Sequence, residues 1–163
     1  MSKIYKWYGS RPLETDLQLY PNDIFFRPRG KLIWGCPEGI KNNWYDIIHN
    51  IILSPNDPLF KERENRFLYS VRFKITDYSK ILTIDSGHAL NSIYIKDIEI
   101  FRQDSTVTQS YIIDYDKIKH DGFCGIEVDF ESFGGIPQAY YPWSVSSIAI
   151  WDSSVIDIIP NDK

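Results

Sequence analysis

The sequence is poor in the residues that usually bind metals. Its 163 residues include only two cysteines, Cys36 and Cys124, and three histidines, His49, His88 and His120. Neither cysteine belongs to a CxxC or Cys/His cluster, and no two histidines have the spacing of a metal-ligand pair. We therefore expect no metal site, two reduced and half-buried thiols, and histidines without a catalytic role.

Long apolar runs and runs of basic residues are also missing. Residues 1–6 lack the apolar core of a signal peptide, and no stretch approaches the roughly 20 apolar residues with which a helix crosses a bilayer. The net charge is −4 and the lysines and arginines are scattered, which argues against a surface built mainly to neutralise phosphates. We expect a soluble, cytoplasmic protein of its producing or host cell, with no membrane partner.

Three common active-site motifs do not occur. There is no GxxxxGK followed by Ser or Thr, and no GxGxxG after a predicted strand, so a bound nucleotide would have to be held without a P-loop or a Rossmann turn. There is no GxSxG elbow, so a Ser/His/Asp triad lacks its usual marker.

Aromatic side chains are abundant, at 15% of the residues, and five of them are tryptophans. Residues 67–75 alternate apolar and polar side chains, which predicts a half-buried strand. Residues 42–53 carry apolar side chains at spacings of three and four, which predicts a helix, and the charged residues 56–66 predict a loop. With no repeat and no linker, we predict one α+β domain over residues 1–163.

Two segments carry candidate site residues. Tyr8-Gly9-Ser10 ends the first predicted strand, where a glycine lets the backbone approach a ligand; a simple turn is the alternative. Glu127, Asp129 and Glu131 share one face of a later predicted strand, where neighbouring carboxylates raise one another's pKa and can hold a proton near neutral pH. A solvated strand face is the alternative for these carboxylates.

Further motifs follow in a fixed order along the chain. They are Arg27-Pro28-Arg29-Gly30-Lys31-Leu32-Ile33-Trp34, a second tryptophan at Trp44, Ile84-Asp85-Ser86, Phe123-Cys124-Gly125-Ile126-Glu127, and Trp143-Ser144-Val145-Ser146-Ser147-Ile148-Ala149-Ile150-Trp151. Together with Tyr8-Gly9-Ser10, this order resembles the ADP-ribosyltransferase fold. One bacterial and viral group of that family has Lys/Arg-Pro-x-Gly-Leu-Trp, a further Trp, Ile-Asp-Ser, Tyr-Asp-Gly-Ile-Glu and a closing Trp-Asp-x-x-Ser-x-x-Ile-Trp.

The resemblance implies a fold, a substrate and a site. The fold would be a split pair of small antiparallel sheets clasping NAD, and the reaction would transfer ADP-ribose to a protein or nucleic-acid acceptor, as in a toxin or phage effector. Arg29 or Arg11 would pair with the pyrophosphate. The implied catalytic residues are Glu127 and Tyr8, and the implied NAD-binding residues are Gly9, Ser10, Arg29, Trp34, Trp44 and Ser147.

The chain departs from the family pattern at one important position. Many members open the final strand of the site with a catalytic glutamate, and the corresponding residue here is Ser147. Three interpretations remain open: Glu127 supplies the carboxylate from the adjacent strand, the protein belongs to a group that uses no glutamate there, or the domain binds without catalysis. The alternative function is a non-catalytic interaction protein, such as an inhibitor of a host defence or nucleic-acid enzyme.

Overall fold

The structure is a computed structural model that describes residues 2–21, 27–40, 43, 46, 54–85, 94–129 and 146–160. Within these ranges the chain has the predicted mixture of helix and strand, with far more strand than helix. No helix in the described ranges has the length and apolar character that crossing a bilayer requires.

Seven of the eleven strands in the described ranges form one mixed sheet. The eleven strands are β1 (Ile4–Gly9), β2 (Gln18–Leu19), β3 (Gly30–Lys31), β4 (Ile33–Pro37), β5 (Tyr69–Ile75), β6 (Ile81–Ile84), β7 (Ile95–Phe101), β8 (Val107–Ile113), β9 (Gly125–Val128), β10 (Ser147–Ile150) and β11 (Ile156–Ile159). The order in the large sheet is β11-β5-β1-β4-β10-β9-β6, antiparallel except for the parallel pair β6–β9. The pairs β2–β3 and β7–β8 form two small sheets.

This arrangement differs from the split pair of small sheets that the sequence predicts. Strand β10 pairs with β4 on one side and with β9 on the other. Its central position joins strands from the start and the end of the chain into one continuous sheet. The coarser prediction of an α+β fold is confirmed.

Both faces of the central strands β4, β9 and β10 are largely buried. We call front the face that carries Trp34, Ala149 and Ile126, which pack in one core with side chains of β2, β6 and β8. We call back the face that carries Tyr5 and Ile148, which pack in a second core with side chains of β4 and β5. Because side chains alternate along a strand, each central strand contributes to both cores.

Two α-helices lie wholly within the described ranges. Helix α1 (Pro58–Asn65) lies where the sequence predicts a loop, so that prediction is wrong. Asp57 caps α1 by accepting a hydrogen bond from the Leu59 amide at 2.9 Å, and no α1 residue is buried, so the sequence holds no apolar stripe to reveal the helix. Helix α2 (Tyr115–His120) is capped by Asp114, whose carboxylate accepts a hydrogen bond from the Lys117 amide at 3.0 Å.

Two sequence predictions for strands are confirmed. The strand predicted over 67–75 appears as β5, and the first predicted strand, which ends at Tyr8-Gly9-Ser10, appears as β1. The segment 31–34 contributes to β3 and β4, with the second strand continuing to Pro37. Most of the predicted helix over 42–53 lies outside the described residues.

Gly30, on β3, is constrained by its backbone conformation and by its close approach to β2. Its φ is +137°, and a Cβ built on it would lie 1.9 Å from the carbonyl oxygen of Gln18. Gly39 also has a positive φ, +82°, but a Cβ there would meet nothing within 4 Å. The two glycines therefore separate the cost of backbone conformation from the cost of a steric clash.

We predict that Gly30→Ala lowers the free energy of unfolding far more than Gly39→Ala. The backbone cost alone is on the order of 1–3 kcal/mol, and Gly39→Ala should lose no more than that. Gly30→Ala must in addition push the backbone of β2 away. Urea denaturation of the two variants measures both losses, and equal losses would contradict the close approach of β2 and β3.

Candidate functional site

A pocket of about 350 Å³ opens on the front face of the sheet. Strands β1, β4 and β10 contribute to it, together with the turn that joins α1 to β5. Its lining residues are Lys6, Tyr8, Gly9, Ser10, Trp34, Gly35, Cys36, Arg66, Phe67 and Ser147. Five of the predicted site residues, Tyr8, Gly9, Ser10, Trp34 and Ser147, therefore come together in one place.

Aromatic rings form one wall of this pocket. The Tyr8 and Phe67 rings meet edge to face with centroids 5.3 Å apart. The ammonium group of Lys6 lies 5.1 Å from the centroid of the Tyr8 ring, within the range of a cation–π contact. Trp34 is half-buried against the front core. The wall thus offers flat apolar surface next to a positive charge.

Polar groups form a row across the floor. Lys6 on β1 is the register partner of Cys36 on β4, and Ser147 on β10 follows in the same row because Ile148 is the partner of Gly35. Cys36 and Ser147 are both buried. Among the described lining residues the charged groups are Lys6 and Arg66, both cationic, and none is a carboxylate.

Position 9 requires a glycine for a packing reason that the sequence did not reveal. A Cβ on Gly9 would lie 2.4 Å from atoms of the Trp7 ring. The glycine is needed because the Trp7 side chain packs directly over it, whether or not a ligand also approaches. Any side chain at this position must displace the Trp7 ring, which packs against the back core.

Two predicted NAD contacts lie elsewhere. Arg29 does not line the pocket; it precedes β3, and its carbonyl oxygen accepts a hydrogen bond from the Tyr20 amide at 2.8 Å. Arg11 lines a second, smaller pocket of about 280 Å³ that shares Gly9 and Ser10 with the first. Trp44 lies outside the described residues.

Glu127 points to the opposite side of the sheet from the pocket. It is the register partner of Ile148, on the back face, whereas Ser147 is the partner of Val128, on the front face. Its carboxylate is 2% exposed, accepts a hydrogen bond from the Tyr5 hydroxyl at 2.7 Å and pairs with the Lys3 ammonium. The predicted catalytic pair, Tyr8 and Glu127, thus lies on two faces of one sheet.

Of the other two carboxylates in the predicted stripe, Asp129 is described and does not line the pocket. Asp129 is half-buried, and its carboxylate accepts a hydrogen bond from the Ser146 hydroxyl at 3.4 Å. Glu131 lies outside the described residues. The solvated face that the sequence offered as an alternative is not observed at Glu127, because both faces of β9 are buried.

Five lining residues were not among the predicted site residues, namely Lys6, Gly35, Cys36, Arg66 and Phe67. Lys6 could have been predicted, because it stands two positions before Tyr8 on the same strand and so shares its face. Cys36 likewise stands two positions after Trp34. Arg66 and Phe67 could not have been predicted, because they follow a helix that has no apolar periodicity.

The phenol of Tyr5 has a strongly perturbed acidity. Burial first, and then the negative charge of Glu127, raise its pKa far above the ordinary value of 10.0. The Tyr5 hydroxyl also lies 3.0 Å from the Tyr78 hydroxyl, whose pKa is raised by burial as well. Tyr5 therefore stays protonated in the folded protein at alkaline pH.

We predict an alkaline loss of stability that depends on Tyr5. In the unfolded chain Tyr5 ionises near pH 10.0, so its contribution is complete below that pH and is lost as the pH rises above it. The loss should be about 1.4 kcal/mol per pH unit. Urea denaturation one pH unit below and one above this value should show a steeper fall for the wild type than for Tyr5→Phe; parallel falls would contradict the shift.

Comparison with known proteins finds no match to this chain among family models, curated proteins or solved structures. What can be said about its function therefore comes from the chemistry of the pocket and from the sequence resemblance to the ADP-ribosyltransferase fold.

Proposed function

We propose that the front-face pocket binds NAD and that the protein transfers ADP-ribose from NAD to a macromolecular acceptor. The observation that carries this proposal is the convergence of Tyr8, Gly9, Ser10, Trp34 and Ser147 on one pocket. These residues come from three separate segments of the chain, at residues 8–10, 34 and 147, and the resemblance implies a site role for all five. The large sheet would then be a fused form of the ADP-ribosyltransferase arrangement.

The pocket chemistry suits a dinucleotide. NAD has two flat rings joined through a doubly negative pyrophosphate, and this pocket combines aromatic rings with two cations. Stacking on Trp34 or Tyr8 would hold a ring, and Lys6 and Arg66 would attract the phosphates. In this proposal Lys6 and Arg66 take the role that the sequence resemblance suggested for Arg29 or Arg11.

The proposed reaction needs the bond between nicotinamide and ribose to break. The bonding electron pair goes to the ring nitrogen of nicotinamide, which becomes neutral, and the ribose carbon becomes cation-like. A nucleophile of the acceptor then attacks that carbon and loses its proton to water or to a base. The electron-rich face of Tyr8 would favour the cation-like ribose, and the Ser147 hydroxyl would orient a ribose hydroxyl.

A second candidate function is binding without transfer, as in a non-catalytic interaction protein. The observation that favours it is the lack of a carboxylate among the described lining residues, with Ser147 at the position of the family's glutamate. Glu127 does not replace that glutamate from the back face. In a transferase that works from this pocket, the attacking nucleophile would still have to lose its proton. A hydroxyl group of the pocket, or a group of the acceptor, would have to take up that proton.

We predict that NAD raises the melting temperature of the protein, because a ligand that binds only the folded state stabilises it. Trp34→Ala should abolish this shift by removing a stacking surface. Phe101→Ala is the matched control, because Phe101 is 74% exposed on the β7–β8 hairpin and does not line the pocket. An unchanged shift in Trp34→Ala would contradict NAD binding at this site.

We predict in addition that NAD labelled in its adenylate part modifies macromolecules of a cell lysate when the wild-type protein is present. The label should appear with release of free nicotinamide, and Tyr8→Ala should lose both. Binding of NAD without release of nicotinamide or transfer of label would instead establish the second candidate function.

A further inference from the structure

A polar cluster on the back face connects strands that are not neighbours. The Glu127 carboxylate accepts hydrogen bonds from the hydroxyl of Tyr5, at 2.7 Å, and from the ammonium of Lys3. The Tyr5 hydroxyl also lies 3.0 Å from that of Tyr78. We call these four residues, Lys3, Tyr5, Tyr78 and Glu127, the clasp.

The clasp reaches across the middle of the sheet. Tyr5 is on β1 and Glu127 is on β9, and the strands between them are β4 and β10. Neighbouring strands lie about 4.8 Å apart, so the contact crosses three such spacings. Long side chains make this possible, because the tyrosine ring lies along the back face towards the glutamate.

Gly35 on β4 provides the space for this contact. A Cβ on Gly35 would lie 2.6 Å from the Phe73 ring and 3.2 Å from the Cβ of Tyr5. The rings of Tyr5 and Phe73 are stacked with centroids 5.5 Å apart. The lack of a side chain on β4 therefore lets both rings pack close to the sheet behind the pocket.

The same backbone segments carry the pocket on the other side. Tyr5 is followed by Lys6, Gly35 is flanked by Trp34 and Cys36, and all three flanking residues line the pocket. The strand β10 with Ser147 lies between the two ends of the clasp. Any change in the spacing or twist of these strands would move Lys6, Cys36 and Ser147 relative to one another.

We propose that Glu127 is a positioning residue that sets the geometry of the front pocket from the back face through Tyr5 and Lys3. A buried carboxylate that loses one of its partners is strongly disfavoured, so the clasp resists sliding or separation of β1 and β9. This inference does not depend on which ligand the pocket binds, and it gives the buried Glu127 a role without contact to substrate.

The test uses the two cysteines as reporters. Cys36 lies in the pocket behind which the clasp runs, whereas Cys124 lies in a different pocket with Trp151 and Asp152. Both thiols are buried, so their rates of alkylation by iodoacetamide, followed by peptide mass spectrometry, report local opening. The ratio of the two rates cancels a general loss of stability. Because Cys124 packs in the same back core as Tyr5, a change confined to that core raises the Cys124 rate, whereas a change in the front pocket raises the Cys36 rate.

Four variants weaken the clasp to different degrees. Glu127→Ala removes the acceptor, Glu127→Gln keeps an acceptor oxygen for Tyr5, Tyr5→Phe removes only the hydroxyl, and Lys3→Met removes only the charge. The matched control is Lys74→Met, because Lys74 pairs with Asp157 at 3.0 Å and its side chain is 42% exposed, close to the 38% of Lys3.

We expect the ratio of the Cys36 rate to the Cys124 rate to rise several-fold in Tyr5→Phe and Lys3→Met, and more in Glu127→Ala. Glu127→Gln should restore part of the wild-type ratio, and Lys74→Met should leave it unchanged. An unchanged ratio in Tyr5→Phe and Lys3→Met would overturn the proposal, as would an equal rise of both rates. If Glu127→Ala does not fold, Tyr5→Phe and Lys3→Met still decide the matter.

Discussion

The register of β4, β10 and β9 is the constraint on which the rest of the structure depends. Side chains alternate between faces along each strand, so a shift by one residue would exchange the two faces of that strand. With the observed pairing, Ser147 and Trp34 face the pocket while Glu127 and Ile148 face the back core. The burial of apolar residues on both faces holds this register, since a shifted strand would place Glu127 in the front core.

The same constraint explains which parts of the fold the sequence could predict. Alternation over 67–75 predicts β5 correctly, because one face of that strand is largely apolar. Alternation in β9 also separates Glu127 from Ile126 correctly, but it suggests that the glutamate faces water. The sequence cannot show that a second layer covers that face, because the side chains that bury Glu127 come from residues more than 40 positions away. Helix α1 could not be predicted because it buries none of its residues, so its sequence has no apolar periodicity.

The sequence predicted some strand residues of the candidate site, such as Tyr8 and Trp34, and missed both residues of the turn after α1, Arg66 and Phe67. Tyr8 and Trp34 meet because β1 and β4 are adjacent and antiparallel, an arrangement that two nearby strands often adopt. Arg66 enters the pocket only because α1 ends beside β1, and this required a helix that has no signal in the sequence. Arginine at position 29 is, in contrast, a residue type suited to pairing with a pyrophosphate. Its position before β3 keeps Arg29 out of the pocket lining.

The charges of the pocket limit how the proposed reaction can proceed. The Lys6 ammonium faces the Tyr8 ring, so the ring's negative face is partly occupied by a fixed cation, which would repel a cation-like ribose at the same place. A pyrophosphate that draws Lys6 away from the ring would expose that face and neutralise the ammonium in one step. Binding of the phosphates would thereby prepare Tyr8 for the developing positive charge, and a substrate without phosphates would leave Lys6 in place. In the proposed reaction the contact between Lys6 and Tyr8 would thus couple phosphate recognition to stabilisation of the ribose, a coupling that a pocket with a carboxylate beside Tyr8 would not require.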